Sequence, residues 1–89
     1  MPAYRLLTSA AAERALARLP EFAAAAVVEF MTGALVDNPR RVGKDLHSEL
    51  EGWLVARRGS YRIVYRVDED DHAVIVARID HRADVYRSR

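Results

Sequence analysis

The sequence predicts an α+β fold in which an N-terminal strand and an antiparallel helical hairpin precede a three- or four-stranded antiparallel meander. Three observations carry this. A short apolar run opens the chain at Tyr4 to Thr8, two stretches of helix-forming residues meet at Pro20, and from Trp53 onward the pattern becomes that of strands. Helices gathered ahead of the strands, rather than interleaved with them, imply helices packed on one face of a twisted sheet. With 89 residues there is room for one domain, spanning 1–89.

Each element has a local reason. The first run ends at Thr8 and Ser9, both of which can cap a helix. Ala10 to Leu19 is rich in strong helix formers, with Ala12, Leu16 and Leu19 at helical spacing, and Pro20 stops it. A second helix then runs from Glu21 to about Val36, ended by Asp37, Asn38 and Pro39. Its polar positions are few: Glu21, Glu29 and Thr32. A single sheet-facing stripe does not need so much apolar surface, so either the other helix or a partner protein covers the remainder.

Asn38 to Glu51 has no clear period and reads as a loop with room for one helical turn. Strands follow at Trp53 to Arg57 and Ser60 to Val67, joined by a tight turn at Arg58 and Gly59. In the second, Tyr61, Ile63, Tyr65 and Val67 point one way, while Arg62, Val64 and Arg66 point the other. One face packs and the other presents cations. The DEDDH run at 68–72 interrupts the pattern as a hairpin tip before Val74 to Ile79 resume it. A calcium loop needs a longer ligand series, with a glycine and a closing glutamate, so a solvated turn is expected there. Ala83 to Arg87 can add a last short strand.

Composition narrows the function. The chain is 51% hydrophobic and 30% charged, too apolar for a disordered tail. It has no cysteine, which excludes disulfides, thiolate metal sites and a thiol nucleophile. The opening MPAYRLLT lacks the long apolar stretch of a secretory signal, so a cytoplasmic protein is expected. The most apolar window, Phe22 to Val36, is about 15 residues long and broken by Glu29, Thr32 and Gly33, short of the roughly 20 a bilayer requires.

Net charge is only +1, but its distribution is uneven. Arg40, Arg41, Lys44, Arg57, Arg58, Arg62 and Arg66 face only Asp45, Glu49 and Glu51 over the same stretch. Of the 14 basic residues, Lys44 alone is lysine. Arginine's planar fork suits phosphate better than a point charge does, which points toward nucleic acid; coding bias toward arginine is the alternative. No nucleophile elbow, phosphate loop or dinucleotide fingerprint is present. Instead, Trp53, Arg57, Tyr61, Arg62, Arg66, His81, Arg82 and Tyr86 lie on consecutive strands. A cationic sheet lined with aromatic rings can hold single-stranded nucleic acid by phosphate contact and base stacking.

The run L-E-G-W-L-V-A-R-R-G-S-Y-R-I-V-Y at Leu50 to Tyr65, with I-D-H-R-A-D-V-Y-R at Ile79 to Arg87, resembles the RelE/ParE superfamily of bacterial toxin–antitoxin toxins, and the RelE branch best. The element order and the N-P-R-R-x-G-K loop at Asn38 to Lys44 fit as well. The resemblance implies a RelE-like fold and a ribosome-dependent endoribonuclease that cuts messenger RNA by attack of a ribose 2′-hydroxyl on the adjacent phosphate. Such a reaction needs a base, an acid and cations for the phosphorane, and calls for no metal or other cofactor.

By motif position, the resemblance makes Arg62 the residue that stabilises phosphate charge and Arg57 a basic residue of the preceding strand, whereas Val55 stands where many relatives have another. Arg82 and His81 fill the H-R of the C-terminal motif, and a histidine can exchange a proton near neutral pH. Tyr86 matches a tyrosine that stacks on a base or assists proton transfer; as a base it would need cationic neighbours. Arg40, Arg41 and Lys44 read as ribosomal RNA contacts, with Arg58 and Arg66 as further RNA-binding cations. The implied partners are messenger RNA, the ribosome and a RelB-like antitoxin, with no membrane. That antitoxin would lay an amphipathic helix on the domain and bring acids toward Arg57, Arg62 and Arg82. The alternatives are a ParE-like, non-catalytic DNA gyrase inhibitor and a member that binds only its antitoxin.

Overall fold

A computed structural model describes residues 3–46 and 52–81. Strand β1 (Arg5–Thr8) leads into α1 (Ala10–Arg18), then α2 (Glu21–Phe30), α3 (Pro39–Val42), β2 (Lys44–Asp45), β3 (Leu54–Arg58), β4 (Tyr61–Asp68) and β5 (Ala73–His81). The five strands form one sheet in the order β1-β5-β4-β3-β2. Strands β2 to β5 are mutually antiparallel, as the meander requires, while β1 pairs parallel with β5. The expected strand at Ala83 to Arg87 lies outside the described residues.

Ser9 starts α1. Its hydroxyl accepts from the Ala12 amide at 3.0 Å and donates to the Ala77 carbonyl at 2.7 Å, so one side chain caps the helix and ties it to β5. Thr8, the other capping candidate, donates instead to Glu13 at 2.8 Å. The second helix differs from its expected form. After Phe30 it widens into a π-helical stretch, Met31–Leu35, where the Thr32 hydroxyl donates to the Val28 carbonyl and competes with the regular ladder. The widened turn carries Met31 and Leu35 into the core.

Helix α1 packs on β5, and α2 reaches β3. The surplus apolar surface of α2 is not covered by α1: Phe22 is 90% exposed and Val28 41%. Beneath the helices lie Val27, Leu35, Ile63, Tyr65, Val74 and Val76, all at most 1% exposed. Gly59, at φ 61°, occupies the left-handed region and opens a two-residue loop, Gly59 and Ser60, one position later than expected.

Segment 38–51 was expected to be a loop with room for one turn of helix. The turn is α3, and β2 is a further element, two residues long, on the outer edge of the sheet. Tyr65 secures this segment. Its fully buried hydroxyl donates to the Pro39 carbonyl at 2.6 Å, and burial pushes the phenol up to about 12, so it remains a donor at neutral pH.

Replacing Ser9 with Ala removes a cap and a tie to β5 together. The expected cost is about 1.5 kcal/mol, which lowers Tm by roughly 6–12 °C for a domain of this size. Thermal melting followed by circular dichroism measures it; an unchanged Tm would refute the role given to Ser9.

Candidate functional site

The site follows from strand register. Cross-strand partners share a face of the sheet, and the face away from the helices carries rows of side chains. In one row Arg57 stands directly opposite Arg62, and Arg62 opposite Asp80. The next row runs Lys44, Val55, Val64, Arg78. In the third, the Arg66 guanidinium lies over Trp53, 5.9 Å from the ring centroid. Lys44, Arg57, Arg66 and Arg78 are exposed and Arg62 half-buried, so the cations form the rim and floor of an open surface. Val64, expected to stand among the presented cations, is buried at 8% exposure and forms an apolar floor between the charged rows.

Two members were read differently from sequence. Arg78 is an addition. Period two from Val74 and Val76 would aim it into the core, but the β4–β5 register shifts at Val64/Tyr65, so Ala77 is the extra residue and Arg78 turns to the open face. There its guanidinium holds Asp80 at 2.6 and 3.1 Å. His81 moves the other way. It pairs with Tyr61 on the helix side and meets that ring edge-on at 5.1 Å, with the sheet between it and Arg62. Arg82 and Tyr86 lie outside the described residues.

The valine at position 55 is compensated by its neighbour. Lys44 is the direct cross-strand partner of Val55, so a cation absent from β3 is supplied by β2. Together Val42, Lys44, Asp45, Val55 and Arg57 line a hollow of about 380 Å³ on this edge. Arg58 sits elsewhere. It belongs with Phe22, Ala26, Tyr61 and His81 around a separate hollow of about 490 Å³, on the helix side.

Arg40 belongs to a clamp. It pairs with Glu69 at 2.9 Å, and Glu69 also accepts from the Tyr4 hydroxyl at 2.9 Å. Tyr4 stacks on His72 with centroids 3.9 Å apart. The hydrogen bond from Arg40, then that from Tyr4, holds the Glu69 carboxyl below its ordinary range, and the same contact raises the Tyr4 phenol. The acidic hairpin tip therefore joins β1 and α3 rather than standing free in solvent. Arg41, by contrast, is an exposed cation of α3.

The open face can bind phosphates and stabilise added negative charge on phosphorus. Among the described residues it carries no histidine or tyrosine, so what those residues can offer a reaction is electrostatic. Also among the described residues, no three metal-ligating side chains gather, and no helix is long and apolar enough to cross a membrane.

A family model described as the ParE toxin of the type II toxin–antitoxin system parDE matches residues 6–86. The toxins RelG and RelE of Mycobacterium tuberculosis are each 49% identical over 84 residues, covering 94% of this chain and 97% and 87% of theirs. A chain of the RelBE2 toxin–antitoxin complex from the same organism superposes with a TM-score of 0.87 at 48% identity, covering 94% of this chain and 97% of that one. The isolated E. coli RelE toxin shares the fold, with a TM-score of 0.76 at 21% identity over 94% of this chain and 92% of its own.

The Glu69 clamp has a pH signature. A carboxyl whose folded value is lowered adds stability above its ordinary value of 4.5 and loses it as pH falls through the lowered one. Urea unfolding of the parent and of Glu69→Gln is therefore expected to differ at pH 6 and converge on acidification below about 4. A difference independent of pH would contradict the clamp.

Proposed function

Because the chain belongs to the ParE/RelE superfamily of type II toxin–antitoxin toxins, we propose that its single domain, residues 1–89, is the toxin of a RelBE-type system. In this reading it is a ribosome-dependent, metal-independent messenger RNA endoribonuclease that stops translation. The observation that carries the reading is the Arg57–Arg62 pair. Two cations directly opposite each other across antiparallel strands, beside an Asp80 carboxylate that Arg78 also holds, favour a further anion, and RNA brings one with every nucleotide. The two mycobacterial relatives at 49% identity bear RelG and RelE names, which favours this reading over a ParE-like gyrase inhibitor.

The reaction we assign is internal transfer. The 2′-oxygen forms a bond to the adjacent phosphorus as the bond to the departing 5′-oxygen breaks, leaving a cyclic phosphate and a 5′-hydroxyl. Charge builds on the non-bridging oxygens, and Arg62 and Arg57 stabilise it. A proton must leave the 2′-hydroxyl and another must reach the 5′-oxygen. Tyr86 and Arg82 are the groups we assign beside that phosphate. His81, facing the helices, is a weaker choice than its motif position implies. Lys44, Arg66 and Arg41 hold flanking RNA, and Arg78 joins them.

No acid–base pair sits ready on the described face, so the ribosome must orient the substrate for attack. A ribosome-bound substrate puts the activity in the cytoplasm. The cognate partner is a RelB-like antitoxin with an amphipathic helix for the exposed apolar surface around Phe22 and Val28 and acids for the cationic face.

Mapping transcript ends on translating ribosomes after induction tests this reading. The parent should cut message on ribosomes and naked RNA poorly, while Arg62→Ala should lose on the order of a hundredfold or more in rate with its fold intact. Parental cleavage by a folded Arg62→Ala protein would overturn the assignment, and gyrase inhibition without RNA cleavage would establish the rival.

A further inference from the structure

The geometry points to Tyr65 and Gly43 as positioning residues that set Lys44 against Arg57 across the hollow on the RNA-cutting face. This rests on the function proposed above. The argument starts from β2. A strand of two residues on an outer edge has the pairs Lys44–Val55 and Asp45–Leu54, and one further bond from the Leu46 amide to the Trp53 carbonyl at 2.9 Å, to place it. That is too short a ladder to fix its own position. Yet Lys44 supplies the cation that β3 lacks at Val55.

The core supplies what the ladder lacks. Tyr65 belongs to β4, with no exposed surface, and its ring crosses beneath β3 to the start of α3, where the hydroxyl donates to Pro39 at 2.6 Å. Gly43, the residue that ends α3, lies against the same hydroxyl. A β-carbon there would overlap the hydroxyl and come within 2.9 Å of the ring carbon Cζ and 3.1 Å of the Val55 carbonyl oxygen. Gly43 has an extended backbone, φ −125° and ψ 178°, which any residue can adopt. Space alone requires glycine here. One phenol thus touches both ends of α3, and the next residue is Lys44.

Two features separate positioning from stability alone. Arg40, the residue after Pro39, has its own restraint in the pair with Glu69, so without the Tyr65 hydroxyl the start of α3 stays attached there, while the Gly43–Lys44 end loses the group packed against it. Lys44 and Arg57 also line one hollow from two strands, so a small outward shift of β2 widens the spacing between two phosphate-binding cations. Such a shift weakens substrate binding more than the chemical step, which belongs to the Arg57–Arg62 pair.

The test is cleavage of ribosome-bound message by the full-length toxin, well below its Tm, with KM and kcat measured separately. Tyr65→Phe should raise KM about tenfold and change kcat less than twofold. Lys44→Ala should raise KM similarly, and adding it to Tyr65→Phe should raise KM no further, since the misplaced lysine no longer contributes. Gly43→Ala keeps the phenol and displaces the segment, so it should reproduce the KM effect even if Tyr65→Phe fails to fold. Ile63→Val, a core change away from α3, should lower Tm and leave KM alone. The inference is overturned if Tyr65→Phe or Gly43→Ala leaves KM at the parental value, if the effects of Tyr65→Phe and Lys44→Ala multiply in full, or if Ile63→Val raises KM as much. Absence of cleavage by the parent is a different failure, that of the RNA-cutting function itself.

Discussion

Two arginines facing each other across β3 and β4 are the constraint on which the rest of the molecule depends. Like charges directly opposite each other on antiparallel strands are unfavourable, and the more so where solvent is partly excluded, as around half-buried Arg62. Arg57 is exposed, which weakens the repulsion, but the pair still favours strands apart or an anion between. The strands stay together because the other side of β4 is the centre of the core, where Ile63 and Tyr65 have no exposed surface. Apolar burial on one face holds an unfavourable charge arrangement on the other.

The neighbouring features serve the same arrangement. The register shift at Val64/Tyr65 turns Arg78 outward and lets it hold Asp80, so the carboxylate beside Arg62 is shared with a second guanidinium. Arg40, drawn to Glu69, ties the acidic hairpin tip to α3, away from the cationic face. On the opposite side of the sheet, α2 exposes Phe22 and Val28. The chain thus presents a cationic face suited to the RNA of the proposed function and an apolar one suited to an antitoxin helix, and a partner that wraps around the sheet edge can occupy both.

Much of this was legible in the sequence because it depends on local signals. Pro20 ended one helix, the alternation of Tyr61 to Val67 defined β4, and the acidic run marked the β4–β5 turn. The tight turn after β3 came within one residue of its place, and Arg62 and Arg66 were rightly set on the face away from the core. What was not legible depends on register across strands. No local pattern announces a two-residue edge strand such as β2, which exists because Leu54 and Val55 offer partners. The facings of Arg78 and His81 depend on one extra residue at Ala77, and a one-residue shift exchanges faces. Val55 looked like a missing cation in one dimension. Only the pairing with Lys44 shows how the sheet restores it.

The claim that the Arg57–Arg62 pair is an anion site is tested most directly by thermal unfolding with and without inorganic phosphate. Replacing Arg62 with Gln removes the half-buried cation of the pair. The account predicts a parent whose Tm rises steadily with phosphate, and an Arg62→Gln variant that gains markedly less from the anion. An Arg62→Gln protein with the same response to phosphate would contradict it.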